Sequence, residues 1–243
     1  MFTETDYDKL KEIMNESPDK SELLNRLLAS HQITLSLMSH EIRNPLTLIY
    51  STLQLIESQH PEVRTFKYWS DMHHDIDDMI LLLDELSTYN NGERLKLTSV
   101  DSDSFFSGLI LSFASSVINT HIEFTSQIDS SLPSITCDPV KLREVIVNLL
   151  CNARDAVCES SCPHIYFSVN VKDTYLIITI KDNGCGIPEE NVNHIFEPFI
   201  TYKKNGTGLG LAIASRIIRA HNGTISVSSD LGIGTTFTLT LPV

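Results

Sequence analysis

The sequence has no run of 18 apolar residues, so no segment reads as a helix that crosses a membrane. Its first residues, Met1-Phe2-Thr3-Glu4-Thr5-Asp6, are acidic and lack the apolar centre of a secretory leader, so no signal peptide is expected in them. Basic residues are scarce: 18 Lys and Arg stand against 31 Asp and Glu, a formal net charge of −13. The deficit is uneven, 8 basic against 17 acidic residues over 1–95 and 10 against 14 over 96–243. Such a chain repels phosphate backbones, which argues against nucleic-acid and anionic-membrane partners and leaves a phosphorylated or basic protein partner open. The five cysteines, Cys137, Cys151, Cys158, Cys162 and Cys185, show no Cys-x-x-Cys pairing and no zinc-like spacing, and read as reduced thiols of a cytoplasmic protein.

What is present divides the chain. Its 243 residues, 42% hydrophobic, suit one large domain or two ordinary ones. Residues 1–20 are polar, broken by Pro18, and read as a lead-in. From about Ser21 to Gln59, with Asp19 or Ser21 as N-cap, Leu28, Leu35, Ile42, Ile49 and Ile56 recur every seven residues, flanked by Leu24, Met38, Leu46 and Leu53. That is the seam of a helical bundle. A second helix is expected from Glu62 to Thr88, with Trp69, Met72, Ile76, Met79, Leu83 and Leu86 at alternating spacings. Two long helices with a short turn make an antiparallel hairpin, and pairing of two hairpins into a dimeric four-helix bundle would cover both seams. At about 100° per residue, His40 lies roughly 160° from Ile42, so it faces solvent, with Asn44 one turn on and Glu41 beside it. Pro45 costs the helix about 3 kcal/mol and reads as a bend beside His40.

Asn90-Asn91-Gly92 is turn chemistry and marks a boundary, giving expected domains over 21–92 and 93–243. Beyond it the pattern mixes strands (95–100, 121–128, 165–171, 175–181, 224–228, 235–241) with helices after Asp101, after Asp138-Pro139 and from Gly208 to His221. This is an α/β sandwich, a mixed sheet with helices on one face.

Three constellations carry chemistry. Glu144, Asn148, Asn152 and Asp155 form one stripe on the helix after Asp138, and Asn is a poor choice for a merely solvated face. A carboxamide oxygen suits a hard cation such as Mg²⁺. Asp182-Asn183-Gly184-Cys185-Gly186 follows a strand, where a buried Asp can accept a hydrogen bond from an exocyclic amine such as that of adenine, and the glycines let backbone approach a ligand. Gly206-Thr207-Gly208-Leu209-Gly210-Leu211 opens a helix, whose amides can cradle phosphate.

Taken in order, these motifs resemble the catalytic core of a sensor histidine kinase of two-component signalling, over about residues 21–243. Ser39 to Leu46 resembles the phosphoacceptor box, Asn148 to Ala156 the N box, and Asp182 to Gly186 the first glycine box. Phe196-Glu197-Pro198-Phe199 resembles the F box and Gly206 to Leu211 the second glycine box. The resemblance implies His40 as phosphoacceptor, Glu41 as its base, Asn152 as Mg²⁺ ligand and Asp182 as adenine anchor. It further implies Asn148, Asp155, Gly184, Gly186, Gly206, Thr207, Gly208, Leu209 and Gly210 at the nucleotide, and Lys203 as a lid lysine near its phosphates. Asn44 matches a position implicated in dephosphorylating the partner. The short polar segment from Phe199 to Gly206 resembles the abbreviated lids of nitrogen-regulation and sporulation kinases.

The implied cofactors are ATP and Mg²⁺, and the implied partners a second copy of the chain and a response-regulator receiver domain. The implied setting is the cytoplasm, or the cytoplasmic part of a longer membrane-anchored kinase. Relatives that hydrolyse ATP or phosphorylate serine carry Glu where this chain has Asn148, which cannot act as a base. A histidine acceptor needs none, since an unperturbed imidazole with a pKa of about 6.5 is mostly neutral at pH 7. The alternatives, a chaperone- or topoisomerase-type ATPase and a catalytically silent scaffold that binds a response regulator, leave the exposed His40 or the glycine boxes unexplained.

Overall fold

The structure is a computed structural model and describes residues 17–91, 94–203 and 206–243. The lead-in over 1–16, Gly92 of the boundary turn and the side chains of Leu28 and Leu35 lie outside the described residues. The chain forms two compact units, Met1–Asn91 and Gly92–Val243.

In the first unit, α1 (Pro18–Gln59) and α2 (Trp69–Asn91) pack as a hairpin. The expected caps at Asp19 or Ser21 are replaced by Ser17, whose hydroxyl accepts from the Lys20 amide at 3.2 Å. Pro18, expected to break structure, is instead the first helical residue, where a missing N–H costs nothing. The helix runs unbroken through Pro45. The second helix does not begin at Glu62: Pro61–Thr65 is a 3-10 turn, Tyr68 adopts a left-handed φ of 71°, and only then does α2 start.

Each helix carries two apolar stripes. Ser39, Leu46 and Leu53 on α1 and Ile76, Leu83 and Asn90 on α2, both at heptad spacing, are buried within the hairpin, with Val63 under the turn. The expected seam divides between the two: its flanking Leu46 and Leu53, and Ile76 and Leu83 of the second helix, are in the buried stripe, while its central isoleucines are not. Ile42 and Ile49 are 50% and 48% exposed, and Met38, Met72 and Met79 are exposed as well.

In the second unit, β1 (Thr98–Val100) pairs with β3 (Ile135–Cys137). The main sheet orders β2 (Glu123–Ile128), β4 (His164–Lys172), β5 (Tyr175–Asp182), β7 (Gly234–Pro242) and β6 (Thr224–Asp230). Only β2 and β4 are parallel in it. The helices α3 (Ser102–Val117), α4 (Pro139–Ala156) and α6 (Gly210–Ala220) pack side by side over the sheet, while α5 (Glu189–Val192) is a single turn against β6. Strand alternation sends Ile165, Phe167 and Val169, Leu176, Ile178 and Ile180, and Phe237, Leu239 and Leu241 into one core with Leu142, Ile146 and Leu149 of α4. Each such buried side chain contributes roughly 1.5–3 kcal/mol.

Candidate nucleotide and phosphoacceptor sites

The alternation of β5 also sets the first site residue. Asp182 continues the inward phase of Leu176, Ile178 and Ile180, so the strand delivers a carboxylate to the core face, only 4% exposed. Burial pushes its pKa up, opposed by the amides of Gly184 (2.8 Å) and Thr235 (3.3 Å) that donate to Oδ1. The turn after it is held against the end of α4. The Cys185 amide donates to the Ala156 carbonyl at 3.1 Å, and a Cβ on Gly184 would sit 2.5 Å from that carbonyl. Gly186, with φ 69°, faces the Asp230 carbonyl, which a Cβ would approach to 2.1 Å. At both glycines the side-chain direction is therefore taken by protein backbone, which only glycine permits. A surface hollow of about 640 Å³ beside them, lined by Ile187, Glu189 and Asp230, contains none of the expected site residues.

On α4, Asp138 is the N-cap, and three bonds converge on its carboxylate. Its Oδ1 accepts from Val140 and Lys141, both at 3.1 Å, and its Oδ2 from the Lys96 amide at 2.8 Å. Burial raises its pKa, but these amides outweigh it and hold the carboxyl below the ordinary range. The Asp138 amide donates to buried His221 Nε2 at 2.9 Å, and His221 Nδ1 donates to the Ile217 carbonyl. His221 thereby ties the start of α4 to the end of α6. Sequence reasoning missed this residue, because its partner lies 83 positions away.

Asn148 and Asn152 are half-buried one turn apart, and the Asn152 amide leans on Asn148 Oδ1 at 3.5 Å. Asn148 also meets the other helix: a Cβ on Gly210 would lie 2.8 Å from its carboxamide nitrogen. Glu144, part of the same stripe, is engaged by Lys141 at 3.0 Å. Lys203 reaches Asn152 Oδ1 at 2.8 Å and Asp155 Oδ2 at 2.7 Å rather than an open phosphate position.

The glycine-rich stretch opens α6 at Gly210, two residues later than expected, and no side chain caps it. Gly208, with φ 71°, is pressed against Phe199, whose amide donates to the Gly208 carbonyl at 2.9 Å and whose own φ is 66°. Thr207 accepts from the Leu209 amide at 3.3 Å, and Leu209 is fully buried as an anchor. The structure thus brings Asn148, Asn152, Asp155, Lys203 and Gly210 into contact with one another, with Asp182 and Gly184 at the C-terminal end of α4.

His40, Glu41 and Asn44 are exposed on α1, on the side away from buried Ser39 and Leu46. Arg43, not singled out by its sequence context, forms an ion pair with Asp84 across the hairpin.

Residues 30–94 match the His Kinase A (phospho-acceptor) domain, and residues 137–243 match the histidine kinase-, DNA gyrase B-, and HSP90-like ATPase. The chain belongs to the histidine kinase family. The signal transduction histidine-protein kinase AtoS of Escherichia coli (strain K12) is 34% identical over 206 residues, 85% of this chain and 34% of that protein. Sporulation kinase D of Bacillus subtilis (strain 168) is 30% identical over 226 residues, 92% of this chain and 43% of that protein. The crystal structure of full-length ShkA in complex with AMPPNP superposes with a TM-score of 0.71 at 25% identity, covering 86% of this chain and 45% of ShkA. The chain therefore spans between a third and a half of these relatives. Among the described residues, no helix of this kinase core is long and apolar enough to cross a membrane.

The Asn152 carboxamide oxygen has the chemistry to take a hard cation. Among the described residues no three His, Cys, Asp or Glu side chains cluster to hold a metal, but Asn152 Oδ1 already accepts from a cationic ammonium. A divalent ion on Asn152 would draw its remaining oxygens from phosphates and water.

Proposed function

We propose that this chain is the ATP-dependent autokinase of a two-component system, phosphorylated on His40 and passing the phosphoryl group to an aspartate of a response-regulator receiver domain. The observation that carries the reading is the pairing, in one chain, of an exposed His40-Glu41 step with an N-box helix that has Asn148 where a hydrolytic base would stand. Mg²⁺ on Asn152 supplies charge neutralisation to the phosphates. Asp182 anchors the adenine amine, and the amides opening α6 hold phosphate oxygens. One ring nitrogen of His40 attacks the γ-phosphorus in line, the bond to the β-phosphate oxygen breaks, and ADP leaves. Glu41 orients the imidazole and takes the proton from its other nitrogen. The protein's contribution is positioning and electrostatics, as in other phosphoryl transfers.

Exposed Ile42, Ile49, Met38 and Met79 support pairing of two copies into a four-helix bundle. Asn44, exposed one turn after His40, supports a second activity, dephosphorylation of the receiver by orienting water. With γ-labelled ATP, the wild type is expected to gain acid-labile, base-stable label, and His40→Gln none while still binding nucleotide. Label persisting in His40→Gln overturns the assignment, and Asn44→Ala that dephosphorylates a phospho-receiver at the wild-type rate overturns the phosphatase role.

A further inference from the structure

Lys203 stands in an unusual place for a residue expected at nucleotide phosphates. Its Nζ lies 2.8 Å from Asn152 Oδ1, the one carboxamide oxygen assigned to Mg²⁺, and 2.7 Å from Asp155 Oδ2. The Asn152 amide group leans toward Asn148, so its oxygen is the end turned to the lysine. The backbone presents Lys203 in a built turn. The Thr201 hydroxyl accepts from the Lys203 amide at 3.2 Å, and the Gly206 amide donates to the Lys203 carbonyl at 3.3 Å. A Cβ on Gly206 would fall 2.4 Å from Thr201 Oγ1, so a side chain there would press on the hydroxyl that accepts from the Lys203 amide.

We propose that Lys203 is a tethered cation that fills the metal position of the N box when nucleotide is absent, held there by Asp155, and that the Mg²⁺–nucleotide complex must displace it to bind. This rests on the reading of Asn152 as the metal ligand. One oxygen cannot face an ammonium and a divalent ion together, since like charges at such spacing repel strongly. The two cations therefore exclude each other at Asn152, and metal arrival is coupled to release of the Lys203 side chain. Asp155 is the holding partner of the lysine rather than a ligand of the ion. Its carboxylate and the ammonium are both about half exposed (45% and 46%), so the latch is weak enough to exchange, worth about twofold to fivefold in occupancy.

Two measurements on the full 243-residue chain test this, with Asp155→Asn and the charge-retaining Asp155→Glu beside wild type. The first is trypsin cleavage after Lys203 in nucleotide-free protein with EDTA, followed by mass spectrometry. Trypsin must take the lysine side chain into its own pocket, so a latched Lys203 is protected. Asp155→Asn is expected to be cut two- to fivefold faster than wild type, with Asp155→Glu close to wild type, and equal rates for all three overturn the latch. The second is the Mg²⁺ concentration at half-saturation for a fluorescent ADP analogue. It is expected to fall two- to fivefold in Asp155→Asn, because the competing cation is no longer held. A rise would mean that Asp155 draws the ion itself and overturns the assignment. If wild-type affinity ignores Mg²⁺ altogether, the metal role of Asn152 fails, and the cleavage rates still decide whether Lys203 is latched.

Discussion

Asp182, proposed above as the adenine anchor, is a residue at which stability and recognition can be separated. Burial raises its pKa, so the folded protein holds its proton more tightly than the unfolded chain does. Stability therefore falls as pH climbs from the ordinary carboxylate range, about 4, through the raised folded value, and the cost is present in full above it. Asp182→Asn keeps an oxygen for the Gly184 and Thr235 amides and removes the charge. The nucleotide-free variant is expected to melt higher at pH 7, by about 2–4 °C per kcal/mol recovered, with the gap closing toward pH 4 in calorimetry. Its adenine-nucleotide affinity is expected to fall about tenfold or more by titration, as a hydrogen bond to a charged group is lost. Asp182 was legible from its motif at a strand end, and its burial follows because β5 runs on to it in the register that buries Ile178 and Ile180. The Lys203–Asp155 contact was not, since its partners are 48 residues apart.

Among the elements, two turns of like conformation isolate what close packing requires. Gly186 (φ 69°) and Gly232 (φ 79°) both adopt left-handed backbone, but a Cβ on Gly186 would strike the Asp230 carbonyl while one on Gly232 meets open space. In urea unfolding, Gly232→Ala is expected to cost about 1–2 kcal/mol, the price of the conformation alone. Gly186→Ala is expected to cost clearly more and to weaken nucleotide binding, because the Asp182–Gly186 turn must shift off the β6–β7 hairpin. Element types were readable where a period or a cap announced them: Asp101 caps α3 and Asp138-Pro139 opens α4 as expected. The three-residue β3 was missed. It is too short to show a period, and exists because β1 lies alongside it. The α1 start was misread at Pro18, where Ser17 makes the proline an initiator.

At the scale of the whole molecule, the hairpin's two stripes separate folding from assembly. Leu53→Ala empties a position buried within one chain and is expected to cost about 2–5 kcal/mol, seen as a lower melting temperature of the helical unit. Ile49→Glu places a charge on the exposed stripe and is expected to turn the proposed dimer into monomers by light scattering, with the hairpin's helicity retained. Both stripes recur every seven residues, so the sequence announced a bundle seam without saying which stripe a chain satisfies by itself. That choice depends on where the Pro61–Thr65 turn and Tyr68 aim α2, which local propensity does not specify.

The sequence by itself determined the family, the two kinds of architecture and the exposed histidine, because periodicity, capping chemistry and glycine spacing are local properties of the chain. Only the tertiary structure decided which groups meet. It put Lys203 on Asn152 and Asp155, His221 on the cap of α4, and the glycines of the first box against α4 and the β6–β7 hairpin. Those contacts join residues dozens of positions apart, and their geometry follows from how the sheet and helices pack.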